Sequence, residues 1–220
     1  MTHTLTLHTP HLVQAIKDVS IFASKSYGDL AHLCLSIQPR LGKLTLTASD
    51  GKAYVARTIP LIQEKGTARA SLPAKTIYIA PNDVAMLTKF IPGRGDYGNV
   101  TLEISDIQTP DKKFPVRLTL ATGGSTTFYL PTDVNYPDMS AVIRKAERAK
   151  QAGVAQAGIY LPINEMARAS KVLPKTNGET VAVYACKASR DSSYCLIEYQ
   201  QDTHIETKII FITACAMESD

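Results

Sequence analysis

The sequence predicts an α+β fold built from repeated βαβββ units, with helices on one face of antiparallel sheets. Three observations predict it. Two stretches, Ile77 to Pro92 and Ile159 to Pro174, align without a gap at an offset of 82 residues, and Ile, Tyr, Asn, Ala, Lys and Pro recur at six of sixteen positions. A weaker third copy, Leu5 to Val19, precedes the first at an offset of 72. Each copy reads as a short strand followed by a helix. Segments that alternate apolar and polar residues come next, with the two-residue period of a half-buried strand.

The elements follow in order. Asn82 and Asn164 stand where a helix N-cap is expected, each followed by an acidic residue near the positive end of the helix dipole. Pro92 and Pro174 stop the helices. After the first helix, His32–Gln38, Lys43–Ala48 and Ala53–Ile59 read as strands, with Leu41-Gly42 and Asp50-Gly51 as turn signals. Val100, Leu102 and Ile104 alternate after the second helix; Val181, Val183 and Ala185 do so after the third. Thr126–Leu130, Ser193–Gln200 and Lys208–Thr213 complete the strand set. The units span about residues 4–60, 66–131 and 157–216. This divides the chain into a two-unit domain at 1–137, a connector at 138–157 and a reduced one-unit domain at 158–220. The Ala-, Lys- and Arg-rich composition of Ala141–Ala152 allows a helix in the connector.

At about 100° per residue, each helix has one apolar stripe to lay on the sheet. The stripes are Leu12, Ala15 and Val19; Val84, Leu87 and Ile91; and Met166, Ala169 and Leu173. Lys17, Lys89 and Lys171 occupy equivalent places opposite these stripes, with Gln14 and Arg168 beside them. One lysine opposite a core is ordinary. Three at one place in related helices suggest a shared surface, although descent from a duplicated ancestor produces the same pattern.

Composition bounds the function. The 220 residues are 45% hydrophobic and 20% charged, which fits a globular chain and not a disordered one. No apolar run approaches the roughly 20 residues that cross a bilayer, and the start resembles no signal peptide, so a cytoplasmic protein is expected. The net charge is +4, but residues 141–175 alone carry +5. Uneven basic charge of this kind suggests a polyanion partner; the alternative is a solvated helical face. The cysteines, Cys34, Cys186, Cys195 and Cys215, form no C-x-x-C pair and read as reduced thiols, with Cys186 and Cys195 able to face each other across a hairpin near Arg190 and Asp191.

Other signals carry little. Gly93 to Gly98 matches G-x-G-x-x-G, yet it follows a helix and precedes a strand, the wrong order for a phosphate-binding turn, although Arg94 could reach a nucleic acid from this loop. The five histidines show no metal-ligand spacing, no G-x-S-x-G elbow is present, and most tyrosines fall on strands where sheet packing explains them. No catalytic constellation assembles, and neither cofactor nor metal is expected.

Four stretches, in order, resemble the first domain of the bacterial DNA polymerase III beta sliding clamp: Leu12 to Val19, Leu33 to Ile37, Gly42 to Asp50 and Gly66 to Lys75. Phe128 to Pro131, followed by Tyr136 and Pro137, resembles that family's domain-ending strand and junction. The resemblance covers about residues 4–140; beyond that it rests on the internal repeat. Two departures stand out. Asp29 to Leu33 replaces the family's Pro-Ile-Leu-like sequence, and the last residues, Cys215 to Asp220, lack its Met-Pro-containing tail. The resemblance implies a non-catalytic DNA-clamp fold, in which six two-unit domains close a ring with helices lining the hole. It implies that Lys17, Lys89 and Lys171 face double-stranded DNA without reading its sequence; Gln14, Arg168, Lys175 and Arg94 join them as candidate contacts. The implied partners are a DNA polymerase and a clamp loader, at the nucleoid. The ring would be a trimer if residues 132–157 form a reduced fourth unit, and a tetramer if they are only a linker. The alternative is a clamp-derived regulatory or adaptor protein that closes no ring.

Overall fold

A computed structural model of the chain describes residues 2–26, 28–62, 74–91, 98–110, 113–151, 161–173, 181–187, 192–200 and 205–214. The first unit is β1 (Thr2–His8), α1 (Thr9–Ser20), β2 (Leu33–Gln38), β3 (Lys43–Ser49) and β4 (Ala53–Ile62). The second is β5 (Lys75–Ile79), α2 (Pro81–Phe90), β6 (Asn99–Ser105), β7 (Phe114–Leu120) and β8 (Ser125–Leu130). Helix α3 (Met139–Gln151) follows, then α4 (Ile163–Val172), β9 (Ala182–Lys187), β10 (Ser192–Gln200) and β11 (Glu206–Ala214). The expected mixture of helices and antiparallel strands is thus present.

Local chemistry explains the boundaries. Gly42 and Gly51 hold φ of 63° and 91° in the two turns of the first unit, a region that side chains with a Cβ disfavour. Asp50 Oδ1 accepts the amide hydrogens of Lys52 and Ala53, each at 2.9 Å, which fixes the β3–β4 turn. The expected asparagine caps are corrected: Asn82 and Asn164 lie inside their helices, whose N-cap positions are Ala80 and Pro162. Pro81 takes the first helical position of α2, where its fixed φ suits the helix and its missing N–H costs no bond. Strand β7 has no counterpart in the sequence reading. Pro115 interrupts its run, although Val116, Leu118 and Leu120 alternate inward as in any half-buried strand.

The first two units exchange their leading strands. β1 pairs with β6 along its length, from Thr2↔Ser105 to His8↔Asn99, and β5 pairs with β2 from Leu33↔Ile79 to Ile37↔Lys75. One antiparallel ladder runs β9-β10-β11-β4-β3-β2-β5, and β1-β6-β7-β8 joins it at the end of β4. Thr58 to Ala53 of β4 pairs with Glu206 to Phe211 of β11, so the third unit continues the sheet of the first.

Two cores lie on opposite faces of that sheet. The larger holds the inward residues of α1, α2 and α4, including Leu12, Ile16, Leu87, Ala169 and Val172. The smaller lies under α3, where Ala146 and Ala149 pack on Tyr54, Tyr194, Leu196 and Ile210. Met139–Gln151 is therefore helical, and it covers the face opposite α1, α2 and α4. The cysteine expectation also changes. Cys195 pairs with Ala185 and Cys186 with Tyr194, so the two cysteines are one register step apart and do not stand opposite each other.

Candidate nucleic-acid interface

Helix α1 packs against α2 on one side and α4 on the other, so three helices form one row over the sheet. Their sequences dictate which side faces out. Leu12, Ala15, Ile16 and Val19 of α1 are buried, and Lys17 is left exposed opposite them. Leu87 of α2 is buried with Lys89 exposed; Ala169 and Val172 of α4 are buried with Lys171 exposed. Each lysine also sits in the last turn of its helix, where a cation offsets the negative end of the helix dipole by about 0.3–1 kcal/mol. None of the three forms a salt bridge among the described residues.

Gln14 is exposed beside Lys17, and its Nε2 donates to Asp18 Oδ1 at 2.6 Å. Asp18 is buried under the row, with Arg57 Nη1 at 2.8 Å from its Oδ2. Burial pushes the Asp18 carboxyl up, against the pull of Arg57, Gln14 and Lys17. The pair links α1 to β4 inside the fold and adds little net charge to the helical face.

Arg168 is used differently from the lysines. Its Nη1 lies 2.7 Å from Asp50 Oδ2 and 2.8 Å from Glu165 Oε2, and its guanidinium stands 4.6 Å from the centroid of Phe22. Its Nη2 donates to the Ile21 carbonyl at 3.4 Å. Half-buried and turned inward, it joins α4 to the end of α1 and to the β3–β4 turn. Burial works to raise the Asp50 carboxyl, but the amides of Ala53 and Lys52 and the Arg168 guanidinium together hold it below its ordinary value. No local pattern revealed this contact, because its partners lie 118 residues apart. Lys175 and Arg94 lie outside the described residues.

The basic stretch at 141–175 is not one surface. Its α3 cations lie across the sheet from the lysine row, where Lys150 pairs with Glu198 at 2.6 Å and Arg144 with Asp138 at 3.3 Å. Glu147 of the same helix takes Lys208 at 2.6 Å. On that face a cavity of about 800 Å³ is lined by Tyr54, Tyr78, Tyr136, Arg144, Glu147 and Lys208, among others. Burial raises the Tyr54 and Tyr136 phenols, so both stay protonated.

One predicted core residue is misplaced. Met166 was expected in the buried stripe of α4, yet it is 50% exposed, and Val172 takes its place in the core. On the same helix Arg168 reaches Asp50 and Phe22.

This arrangement of three helices on one face of strand-exchanged antiparallel sheets, with α3 across the sheet from them, matches the sliding-clamp fold. Solved structures match it over nearly the whole chain. The beta subunit of DNA polymerase from Streptococcus pyogenes has a TM-score of 0.60 at 14% identity, covering 99% of this chain and 67% of its own. The sliding clamp of Bacillus subtilis has a TM-score of 0.61 at 15% identity, covering 97% and 65%. The beta clamp of H. pylori has a TM-score of 0.65 at 12% identity, covering 97% and 66%. This chain spans about two thirds of the length of each. No protein-family model matches the sequence, and no curated protein does. Among the described residues, no helix is long and apolar enough to cross a membrane.

Proposed function

We propose that this chain is a sliding clamp: a non-catalytic, cytoplasmic homo-oligomer that encircles duplex DNA at the nucleoid and holds a polymerase or other replication enzyme on it. The observation that carries this reading is the row α4–α1–α2, with an exposed lysine at the equivalent place in each helix. A ring that slides must attract the phosphate backbone without reading bases. Flexible lysines act as point charges that suit any register of phosphates. Lys17, Lys89 and Lys171, with Gln14 beside them, are the proposed contacts. Arg168 positions α4. In this reading residues 1–137 act as a closed domain, 138–157 as an outer connector and 158–220 as half a domain. With α3 on the outer face, the described residues supply three inner helices. A stable ring would need a clamp loader to open it.

Three charge reversals together, Lys17→Glu, Lys89→Glu and Lys171→Glu, should abolish retention on a nicked DNA circle. They should leave a folded protein, because all three side chains are exposed. The chain is allowed to associate in the presence of the circle, and its loss is timed before and after one cut. Slow loss from the circle and fast loss after linearisation is the expected result for the unaltered chain. Unchanged retention by the triple variant would overturn the assignment of the lysine row. Equal loss from circular and linear DNA would favour a second reading, a clamp-derived adaptor without a closed ring.

A further inference from the structure

We propose that the cavity between α3 and the strands β5, β2 and β3 is a site for single-stranded nucleic acid, in which an unpaired base stacks on Tyr78 and the strand runs on toward Lys43. This goes beyond the clamp reading and does not rest on it, because the cavity lies across the sheet from the lysine row.

The first observation is the floor. Helix α3 covers only part of its face: its alanines pack on Tyr54, Tyr194, Leu196 and Ile210 of β4, β10 and β11. The outward residues of β5, β2 and β3 are left to line the cavity. Strand pairing sets them in rows. Tyr78, Cys34, Thr47 and Ala56 stand side by side across four strands, and Thr76, Ser36, Thr45 and Thr58 form the next row. The second row is hydroxyl throughout, with Thr45 and Thr58 hydrogen-bonded at 3.0 Å. Neither row carries a charge before Lys208 and Glu206 on β11. Short hydroxyl side chains both donate and accept, and they lose little freedom when a ligand is seated on them.

The second observation is a pair of orphaned donors. Tyr54 is 1% exposed and lines the cavity, yet its phenol makes no hydrogen bond among the described residues. The hydroxyl of Tyr136, on the cavity wall, is buried in the same condition. Thr47, the neighbour of Tyr54, gives its own hydroxyl to the Cys34 carbonyl at 3.4 Å. Burial keeps both phenols protonated, so each presents an O–H. A buried donor without an acceptor is costly, and it points to an acceptor that a ligand brings. The carbonyls of bases and the oxygens of phosphates are acceptors of this kind.

Aromatic and charged groups then select the ligand. The ring of Tyr136 backs that of Tyr78, with centroids 5.6 Å apart and planes 31° from parallel, so a base on Tyr78 extends an aromatic pair. Cations flank the floor on two sides. Arg40 and Lys43 are exposed at the β2–β3 turn, Lys145 and Arg148 are exposed on α3, and none of the four forms a salt bridge among the described residues. The carboxylates of the cavity are already engaged, Asp138 by Arg144 and both Glu147 and Glu206 by Lys208. The charge left over is positive and complements phosphates. Stacking beside flexible cations is how proteins hold single strands without reading their sequence. A duplex keeps its base faces on one another, and an acidic peptide matches the charge without the stack.

The test is fluorescence anisotropy of a labelled oligothymidylate with the full chain carrying Lys17→Glu, Lys89→Glu and Lys171→Glu, which silences the helical row. This protein should still bind the strand. Adding Tyr78→Ala should weaken binding about tenfold, whereas Tyr78→Phe, which keeps the ring, should leave it unchanged. Lys43→Ala should lower the slope of log affinity against log salt by about 0.7. A duplex of the same length and polyglutamate should each compete at least about tenfold less well than unlabelled oligothymidylate. No binding by the triple variant would overturn the proposal, as would full affinity in Tyr78→Ala. Equal competition by polyglutamate or by the duplex would overturn it too, and leave only a general basic surface. If Tyr78→Ala melts early, Lys43→Ala decides, because that side chain is exposed, and an unchanged slope overturns the site. Retention on the nicked circle should be the same in Lys43→Ala alone as in the unaltered chain, so the failure of either reading leaves the other standing.

Discussion

Units two and three open on related stretches and finish in different surroundings. Ile77 to Pro92 and Ile159 to Pro174 share their helix pattern, their outward lysine and their acidic first turn. Yet Val84 packs into the core while Met166 stands half in water, and Leu102 is sealed while Val183 is open. The repeat encodes which face of a helix or strand is apolar. Whether that face is covered depends on a neighbour, and the first two units have each other.

The comparison is sharpest at β6 against β9. Leu102→Ala should cost about 2–5 kcal/mol, because it empties a site that packing has closed. Val183→Ala at equivalent depth in the repeat should change the stability of the dilute chain by less than about 0.5 kcal/mol. Urea unfolding of both variants checks this, and equal losses would mean that β9 is covered after all.

A smaller effect is expected where the third unit joins the first. Arg168→Ala removes the contacts to Asp50 and Glu165 and the cover over Phe22. Both partners of the main pair are partly exposed, so roughly 1–2 kcal/mol should be lost. Loosening should be concentrated in α4, read as faster amide exchange there than in α2. Uniform change across both helices would show that the joint is not local.

The smallest effect is in pH. Asp50 titrates lower in the folded chain than its unfolded value of about 3.9. Its contribution is therefore present above that value and lost as pH falls through the lower folded one. Asp50→Asn should lose stability near neutrality and show a shallower acid limb than the unaltered chain. Parallel acid limbs in the two proteins would contradict the assigned role of Asp50.

Much of the lysine row was legible because exposure on a helix follows from period alone. Once Leu12, Ala15 and Val19 are recognised as a stripe, Lys17 has one place to go. The same logic failed for Met166. Period alone does not say which of several apolar residues on a helix will meet a neighbour. Arg168 was read as a neighbour of the lysines for the same reason, and its inward turn depends on Asp50, Glu165 and Phe22. Strand β7 escaped notice because Pro115 signals a break, yet the strand persists with that residue opposite Tyr129.

By itself the sequence determined where α1, α2, α4 and most strands fall and which side of α1 and α2 is apolar, since periodicity and turn chemistry act over a few residues. Only the tertiary structure decided that β1 and β5 change places, that α3 covers the opposite face from the other helices, and that Met166 and Val183 stand exposed. Those outcomes depend on contacts between residues tens to more than a hundred positions apart, and local pattern does not specify which distant apolar surface will meet which.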